Sequence, residues 1–238
     1  MIREMAEIDK KIAYAIRHTM VLRQPKQTLS TFGTTNIHYY IVTIPTYSEI
    51  VNNYNETVVR EGRVITEKPQ VITPKYLFNL EGFSDYARKY LESMIEQHGP
   101  HTPGIFYKYR NEPKDLTIVS SPMESVVNHI NNKINEQGDQ LSTIIKGVDE
   151  MWDVSLMKFI HDITEGSIEQ NITELGDKGL FDIDHFGIPR DARNRIEELF
   201  GLVAKGKCDP SQLKLELDRW DLFEEYEDRF LNLFRKNS

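Results

Sequence analysis

Residues 146–164, KGVDEMWDVSLMKFIHDIT, constrain the fold more than any other stretch. At 100° per residue Val148, Phe159, Trp152, Ile163, Leu156 and Ile160 fall on one contiguous arc, the pattern of a helix with a core-facing stripe. Met151, Val154 and Met157 carry apolar character to the other side, which predicts a central helix buried on more than one face. Asp149 and Asp153 stand i, i+4 on it, bordered by Leu156, Met157 and Ile160. An aspartate at a helix start caps free backbone N–H groups, which accounts for Asp149. A carboxylate one turn further in, among apolar neighbours, must be bonded when buried, so Asp153 is expected to be at least half buried and paired. These two carboxylates are the candidate catalytic residues, as acid/base groups or as ligands of a metal.

A chain of 238 residues with 39% hydrophobic and 28% charged residues has the composition of a soluble globular protein and is long enough to bury a substantial core. No apolar run approaches the roughly 20 residues of a membrane span, so no membrane association is expected. The opening MIREMAEIDKK carries charges where a secretory signal needs an apolar core, and Cys208 has no second cysteine to pair with. Both observations point to a cytoplasmic setting. The net charge of −8 is uneven: residues 1–120 hold 15 Lys+Arg against 13 Asp+Glu, and residues 121–238 hold 14 against 24. The acidic excess in the second half argues against a broad duplex-binding face there, and a nucleic-acid partner is not expected.

The order of elements predicts an α+β fold, an antiparallel sheet of about five strands packed against helices, with a helical C-terminal extension. Residues 1–166 are expected to form the core domain, and residues 167–238 to pack on it or on a partner. Residues 2–20 read as an amphipathic helix with Arg3, Glu7, Lys10, Lys11 and Arg17 on the polar side, followed by an extended connection. NIHYYIVTI reads as an interior strand, and an Asn-rich loop follows Pro45. In ETVVREGRVITE, Glu61-Gly62 sits between two β-prone runs, the pattern of a hairpin turn. Such a turn opposes Arg60 to Arg63, and like charges facing across strands call for a shared anion. Residues 83–97 read as a helix buried through Phe83, Ala87, Tyr90, Leu91, Met94 and Ile95; GIFYKYR and LTIVS, joined by NEPKD, read as a second hairpin. A helix from Pro122 to Gly138, a short helix over Leu141 to Ile145, a corner in NITELGDKGLFDIDHFGIPRD, and helices over Arg190 to Ala204 and Leu213 to Phe234 complete the chain.

No phosphate-binding glycine loop, no GxSxG, no metalloprotease helix and no EF-hand spacing occurs, so neither a cofactor nor a metal is expected, and His98 and His101 lack the companions of a zinc site. The leading functional expectation is an interaction protein that binds another protein or itself. Its candidate interface is the aromatic face of Trp220, Phe223, Tyr226, Phe230 and Phe234. The alternative is an enzyme or binding protein for a small anion, such as a nucleotide or phosphorylated metabolite, held by Arg60, Arg63 and Arg110 beside Asp149 or Asp153. Convergence of those five side chains in one pocket is what separates the two expectations.

Overall fold

The computed structural model describes residues 2–48, 55–81 and 84–235. Residues 49–54 of the Asn-rich loop after Pro45, and Gly82 and Phe83 at the expected start of the next helix, lie outside the described residues. In chain order the elements are α1 (Ile2–His18), β1 (Met20–Arg23), β2 (Thr35–Thr43), β3 (Thr57–Thr66), β4 (Gln70–Ile72), α2 (Pro74–Phe78), α3 (Asp85–His98) and β5 (Gly104–Phe106). They continue with β6 (Tyr109–Val119), α4 (Met123–Gln137), β7 (Ser142–Lys146), α5 (Trp152–Asp177), α6 (Arg190–Ala204), α7 (Pro210–Arg219) and α8 (Phe223–Arg235). The chain divides into two compact units, residues 1–68 with 108–171, and residues 69–107 with 172–238. Segment 69–107, expected in the core domain, joins the C-terminal helices because it contributes Ile72 and Tyr76 to their apolar core.

The first unit is built on a five-stranded sheet in the order β1-β7-β2-β3-β6. The sheet is mixed rather than antiparallel throughout, since β7 runs parallel to β2 while the other neighbours are antiparallel. The difference traces to residues 142–146, expected as part of a short helix. Thr143, Ile144 and Ile145 are β-branched and fully buried, and the long segment between β2 and β7 supplies the crossover a parallel pair requires.

Neither expected hairpin forms. ETVVREGRVITE runs straight through Glu61 and Gly62 as the single strand β3. Gly62 serves the sheet face instead of a turn, because a Cβ there would overlap the Tyr39 hydroxyl and come within 2.9 Å of the Glu112 carbonyl. The Tyr39 ring lies over this position, and its hydroxyl donates to Asn111 Oδ1 at 3.0 Å. NEPKD likewise continues β6, with a bulge where Glu61 pairs with Asp115 and Gly62 with Pro113, leaving Lys114 as the extra residue. Pro113 is tolerated because β6 lies at the edge of the sheet.

Alternation gives the sheet two covered faces. Tyr40, Val42 and Ile144 cluster with Val126, Ile130 and Ile134 of α4. On the opposite face, where Ile37, Tyr39, Ile41 and Val64 are buried, Arg60 rests 5.6 Å over Trp152 and the Tyr109 hydroxyl meets Thr164, so α5 covers it. Leu156, Phe159 and Ile160 of α5 are buried there as the periodicity predicts. Met157 is 62% exposed, so the second apolar side of this helix is not covered. α5 also runs on to Asp177, through residues expected to form a corner. Gly166 and Gly176 within it have no neighbour within 4 Å of an added Cβ, and glycine in a helix weakens it without breaking it.

In the second unit β4 and β5 form a separate two-stranded antiparallel sheet. Its core joins Ile72 and Tyr76 to Ile188, Ile196, Phe200, Leu213, Leu217, Trp220, Leu222 and Phe230. The helix expected over Leu213 to Phe234 is two helices. Asp221 takes a left-handed backbone (φ 60°), which ends α7 before α8 starts at Phe223. α3 buries none of its side chains fully, so its apolar residues form a partly covered stripe. Among the described residues no helix is long and apolar enough to cross a membrane.

Candidate functional site

Asp149 lies just after β7, at the start of the short helical turn that leads into α5. Its Oδ1 accepts from Arg60 Nη1 and from the Thr43 hydroxyl, each at 2.8 Å, and Oδ2 accepts longer contacts from Thr46. Arg60 also donates to Thr43 Oγ1 at 3.1 Å. Burial works against the charge on Asp149, but the bonds from Thr43 and Arg60 and the charge of Arg60 outweigh it and hold the carboxyl below its ordinary range. This is a saturated structural pair that ties the end of β2 to β3 and α5. It leaves little of either group for a substrate.

The other sequence-derived candidates do not join it. Arg60 and Arg63, three apart on one strand, point to opposite faces, so the expected repulsion does not arise. Arg63 Nε and Arg110 Nη2 both bond Glu112, at 2.6 and 3.0 Å, so β6, which also carries Arg110, supplies the anion for both. Asp153, expected to be buried, is exposed, and among the described residues its Oδ1 accepts from the N–H of Val154 alone, at 2.9 Å. At the first turn of α5 it complements the helix dipole, so apolar neighbours in sequence did not imply burial. Of the five aromatic residues of the candidate interface, Trp220 and Phe230 are buried in the core of the second unit, Phe223 and Tyr226 are packed against it, and Phe234 is exposed. The Trp220 indole donates to Glu216 at 3.1 Å.

A different part of the first unit forms a cleft of about 700 Å³, lined by α1, the chain after β2 and the chain after β7. Because β2 and β7 are parallel, both carboxyl ends open at this end of the sheet, the position where open sheets with parallel strands take their ligands. α1 is pinned over it by small residues. The Thr19 hydroxyl donates to Ser155 Oγ at 2.7 Å, Ala15 is fully buried, and Gly147 leaves room for Ser155, whose Oγ would stand 2.5 Å from an added Cβ. The polar side of α1 therefore faces the cleft through Glu7, Lys10, Lys11, Tyr14, Arg17 and His18, a stripe at i, i+3, i+4, i+7 spacing. Lys146 joins them from the end of β7.

Among the described residues Lys10, Lys11, Arg17 and Lys146 have no carboxylate partner, and Glu7 and Glu150 are the unpaired acids of the lining, since Asp149 is bound to Arg60. The cleft is thus electropositive by two charges in a chain whose net charge is −8. His18 stacks on Tyr14 with ring centroids 3.8 Å apart, and its Nδ1 lies 2.8 Å from the Tyr14 carbonyl, leaving Nε2 at the rim. The volume is that of a small-molecule site, and converging ammonium and guanidinium groups are what phosphate or carboxylate oxygens bind. Nothing in the sequence separated this stripe from an ordinary solvated helix face.

The second unit holds a buried polar network that sequence reasoning also missed. Arg195 donates to Asp191 at 3.0 Å and to Glu216 at 2.9 and 3.0 Å; Glu216 accepts further from Tyr76 and Trp220, and Asp191 from the backbone N–H of Val71. The i, i+4 spacing of Asp191 and Arg195 was its one visible trace. Asp182, Asp184 and His185 do not form a metal loop. Asp184 accepts from the N–H groups of Phe186 and Ile188 and from Arg193, holding a turn closed. Burial opposes its charge, but these bonds lower its carboxyl below the ordinary range. Among the described residues no group of three or more His, Cys, Asp or Glu is placed to hold a metal ion. No family model, curated protein or solved structure matches the chain.

Proposed function

We propose that this chain binds a small phosphate-bearing anion in the cleft beneath α1. The observation that carries this reading is the convergence of Lys10, Lys11, Arg17 and Lys146, none ion-paired among the described residues, on a concave site at the carboxyl ends of β2 and β7. Unpaired cations of one sign cost stability through mutual repulsion, and an anion lying between them relieves it. The charge and volume of the cleft support an anion of small-molecule size, and its lining is not tied to a particular reaction. Asp149 acts as a wall of the cleft held by Arg60, and Arg63 and Arg110 take no part.

The test is calorimetric titration of the full chain with pyrophosphate, a nucleoside triphosphate and a sugar phosphate, repeated for Lys11→Ala with Arg17→Ala. Saturable binding by at least one of these compounds, weakened tenfold or more in the double variant, is the expected result. Loss of two charge-assisted contacts, each worth about 1.5–3 kcal/mol, accounts for at least that factor. Absence of binding to all three, or equal affinity in the variant, rejects the proposal.

A second reading, a protein-binding role, draws on a separate observation. Ile12 and Ile16 of α1 and Val154 and Met157 of α5 line an apolar groove of about 510 Å³, and Ile8, Ile16 and Met157 are exposed. A partner covering this groove would bury apolar surface worth roughly 25 cal/mol per Å². Substituting Ile16→Glu with Met157→Glu, followed by measurement of mass in solution, checks it: an unchanged monomer in both proteins leaves self-association through the groove without support.

A further inference from the structure

The two edges of the sheet differ. β1 spans four residues, whereas β6 spans eleven and is exposed along most of its length. Edges of this kind are usually blunted. The first half of β6 is: Pro113 lacks an N–H, and the bulge at Lys114 interrupts the ladder. Between Asp115 and Val119 the edge carries neither a proline nor a bulge, and Leu116 and Ile118, on one face, are 56% and 52% exposed.

The backbone direction at this edge follows from the registers. His38 donates its N–H to Leu141, and Val42 accepts from Gly147, so even-numbered residues of β2 address β7 and odd-numbered ones address β3. Ile41 faces Arg60 and Thr43 faces Val58, so Arg60 and Val58 bond back to β2 while Val59 and Thr57 address β6. Their partners Thr117 and Val119 are thereby occupied, and Leu116 and Ile118 direct N–H and C=O away from the sheet. The N–H of Leu116 agrees with this, since it donates to the Asp115 side chain at 2.8 Å rather than to β3.

We propose that β6 pairs antiparallel with β6 of a second copy of this chain, about a two-fold axis at Thr117. In that register Leu116 of one copy lies opposite Ile118 of the other, and the reverse, so the Leu116 N–H exchanges the Asp115 side chain for the backbone of the second copy, the other outward-directed groups bond across the seam, and four apolar side chains meet on one face. An isologous contact requires such self-complementarity. Charge and apolar matching together favour this register: an axis at Asp115 sets that carboxylate against itself, and an axis at Leu116 sets Lys114 against Ile118, whereas an axis at Thr117 opposes no like charges and sets Leu116 against Ile118. The strand itself is neutral, with Arg110 and Lys114 balancing Glu112 and Asp115, so the repulsion between two chains of charge −8 is not concentrated there. A short strand pair gives a small interface, so the dimer is weak and concentration-dependent.

The experiment uses the full chain with Cys208→Ser, carrying either Thr117→Cys or Asp115→Cys, under mild oxidation. Directly opposed residues in a non-hydrogen-bonded antiparallel pair have Cα atoms about 4.5 Å apart, within disulfide range. Thr117→Cys is expected to yield a covalent dimer and Asp115→Cys a monomer. Sedimentation of the chain without added cysteines, at concentrations up to about 1 mM, is expected to show a reversible dimer. Leu116→Lys with Ile118→Lys is expected to abolish it while leaving the melting temperature unchanged, because both side chains are exposed in the single chain. A chain that stays monomeric and gives no disulfide at position 117, a dimer indifferent to the two lysines, or equal cross-linking at positions 115 and 117 each overturns the proposal.

Discussion

The buried network of the second unit and the cleft of the first treat their cations in opposite ways, although elsewhere in the first unit Arg60, Arg63 and Arg110 are paired. In the second unit, Arg193, Arg195 and Arg229 are each tied to carboxylates, Arg195 between Asp191 and Glu216 and Arg229 in a two-pronged contact with Glu197. In the first, Lys10, Lys11, Arg17 and Lys146 face a cleft with no carboxylate partner among the described residues. Satisfied charges hold a fold together, and their removal is felt as instability. Unsatisfied charges cost the fold a little and remain available to a ligand. The contrast therefore separates charges bound within the fold from charges left unpaired, without reference to any motif, and it orders the expected effects of substitution.

The largest effect belongs to the buried network. Arg195→Ala strands two carboxylates in an apolar core, so a loss of about 3–5 kcal/mol is expected in denaturant titration, with no change in anion affinity if the first unit alone carries the site. A change below about 1 kcal/mol would mean that the network is wetter than its burial implies. Second comes Asp149→Asn, which leaves Arg60 and Thr43 short of their acceptor and is expected to cost about 1–3 kcal/mol. Its pH dependence has a definite sign. The folded carboxyl titrates below its unfolded value, so its contribution is fully present above about pH 4 and is lost as pH falls through the folded value. The difference in melting temperature between wild type and Asp149→Asn should accordingly be constant from neutral pH down to that point and shrink below it.

The cleft cations should reverse the pattern. Lys11→Ala with Arg17→Ala is expected to change stability by no more than about 0.5 kcal/mol, or to raise it slightly by relieving repulsion, while weakening anion binding. Comparable losses of stability and affinity would erase the contrast between the units. Smallest of all is Asp153→Ala. Exposed and, among the described residues, bonded only to the adjacent N–H, this residue is expected to contribute about 0.5 kcal/mol or less, mainly through the helix dipole, in the same thermal melts.

Some of this was legible before any coordinates. α1, β2, α4 and α6 lie where periodicity and capping place them; β2, α4 and α6 bury the stripe their residues spell out, whereas α1 leaves Ile8 and Ile16 exposed. The errors share a cause. Glu61-Gly62 and NEPKD are turn-like in isolation, yet both run through long strands, since Gly62 accommodates the Tyr39 ring and Pro113 sits at an edge. Leu141 to Ile145 has no local signal that distinguishes a short buried helix from a strand, and only pairing with β1 and β2 decided it. Asp153 was misplaced because a wheel assigns neighbours along one helix and is silent about which side other elements cover.

The chain's composition and periodicities were enough to establish a mixture of helices with a β-sheet, a buried stripe on α5, and an acidic charge balance, because these depend on residues close in sequence. Which cations are paired is a property of distance in space. Arg60 meets Asp149 across 89 positions and Arg195 meets Glu216 across 21, whereas Lys10 and Lys146 line a cleft with no carboxylate partner among the described residues. Coulombic and hydrogen-bonding energies fall off within a few ångströms, so the division between charges that build the fold and charges left for a ligand arises only once the elements have packed.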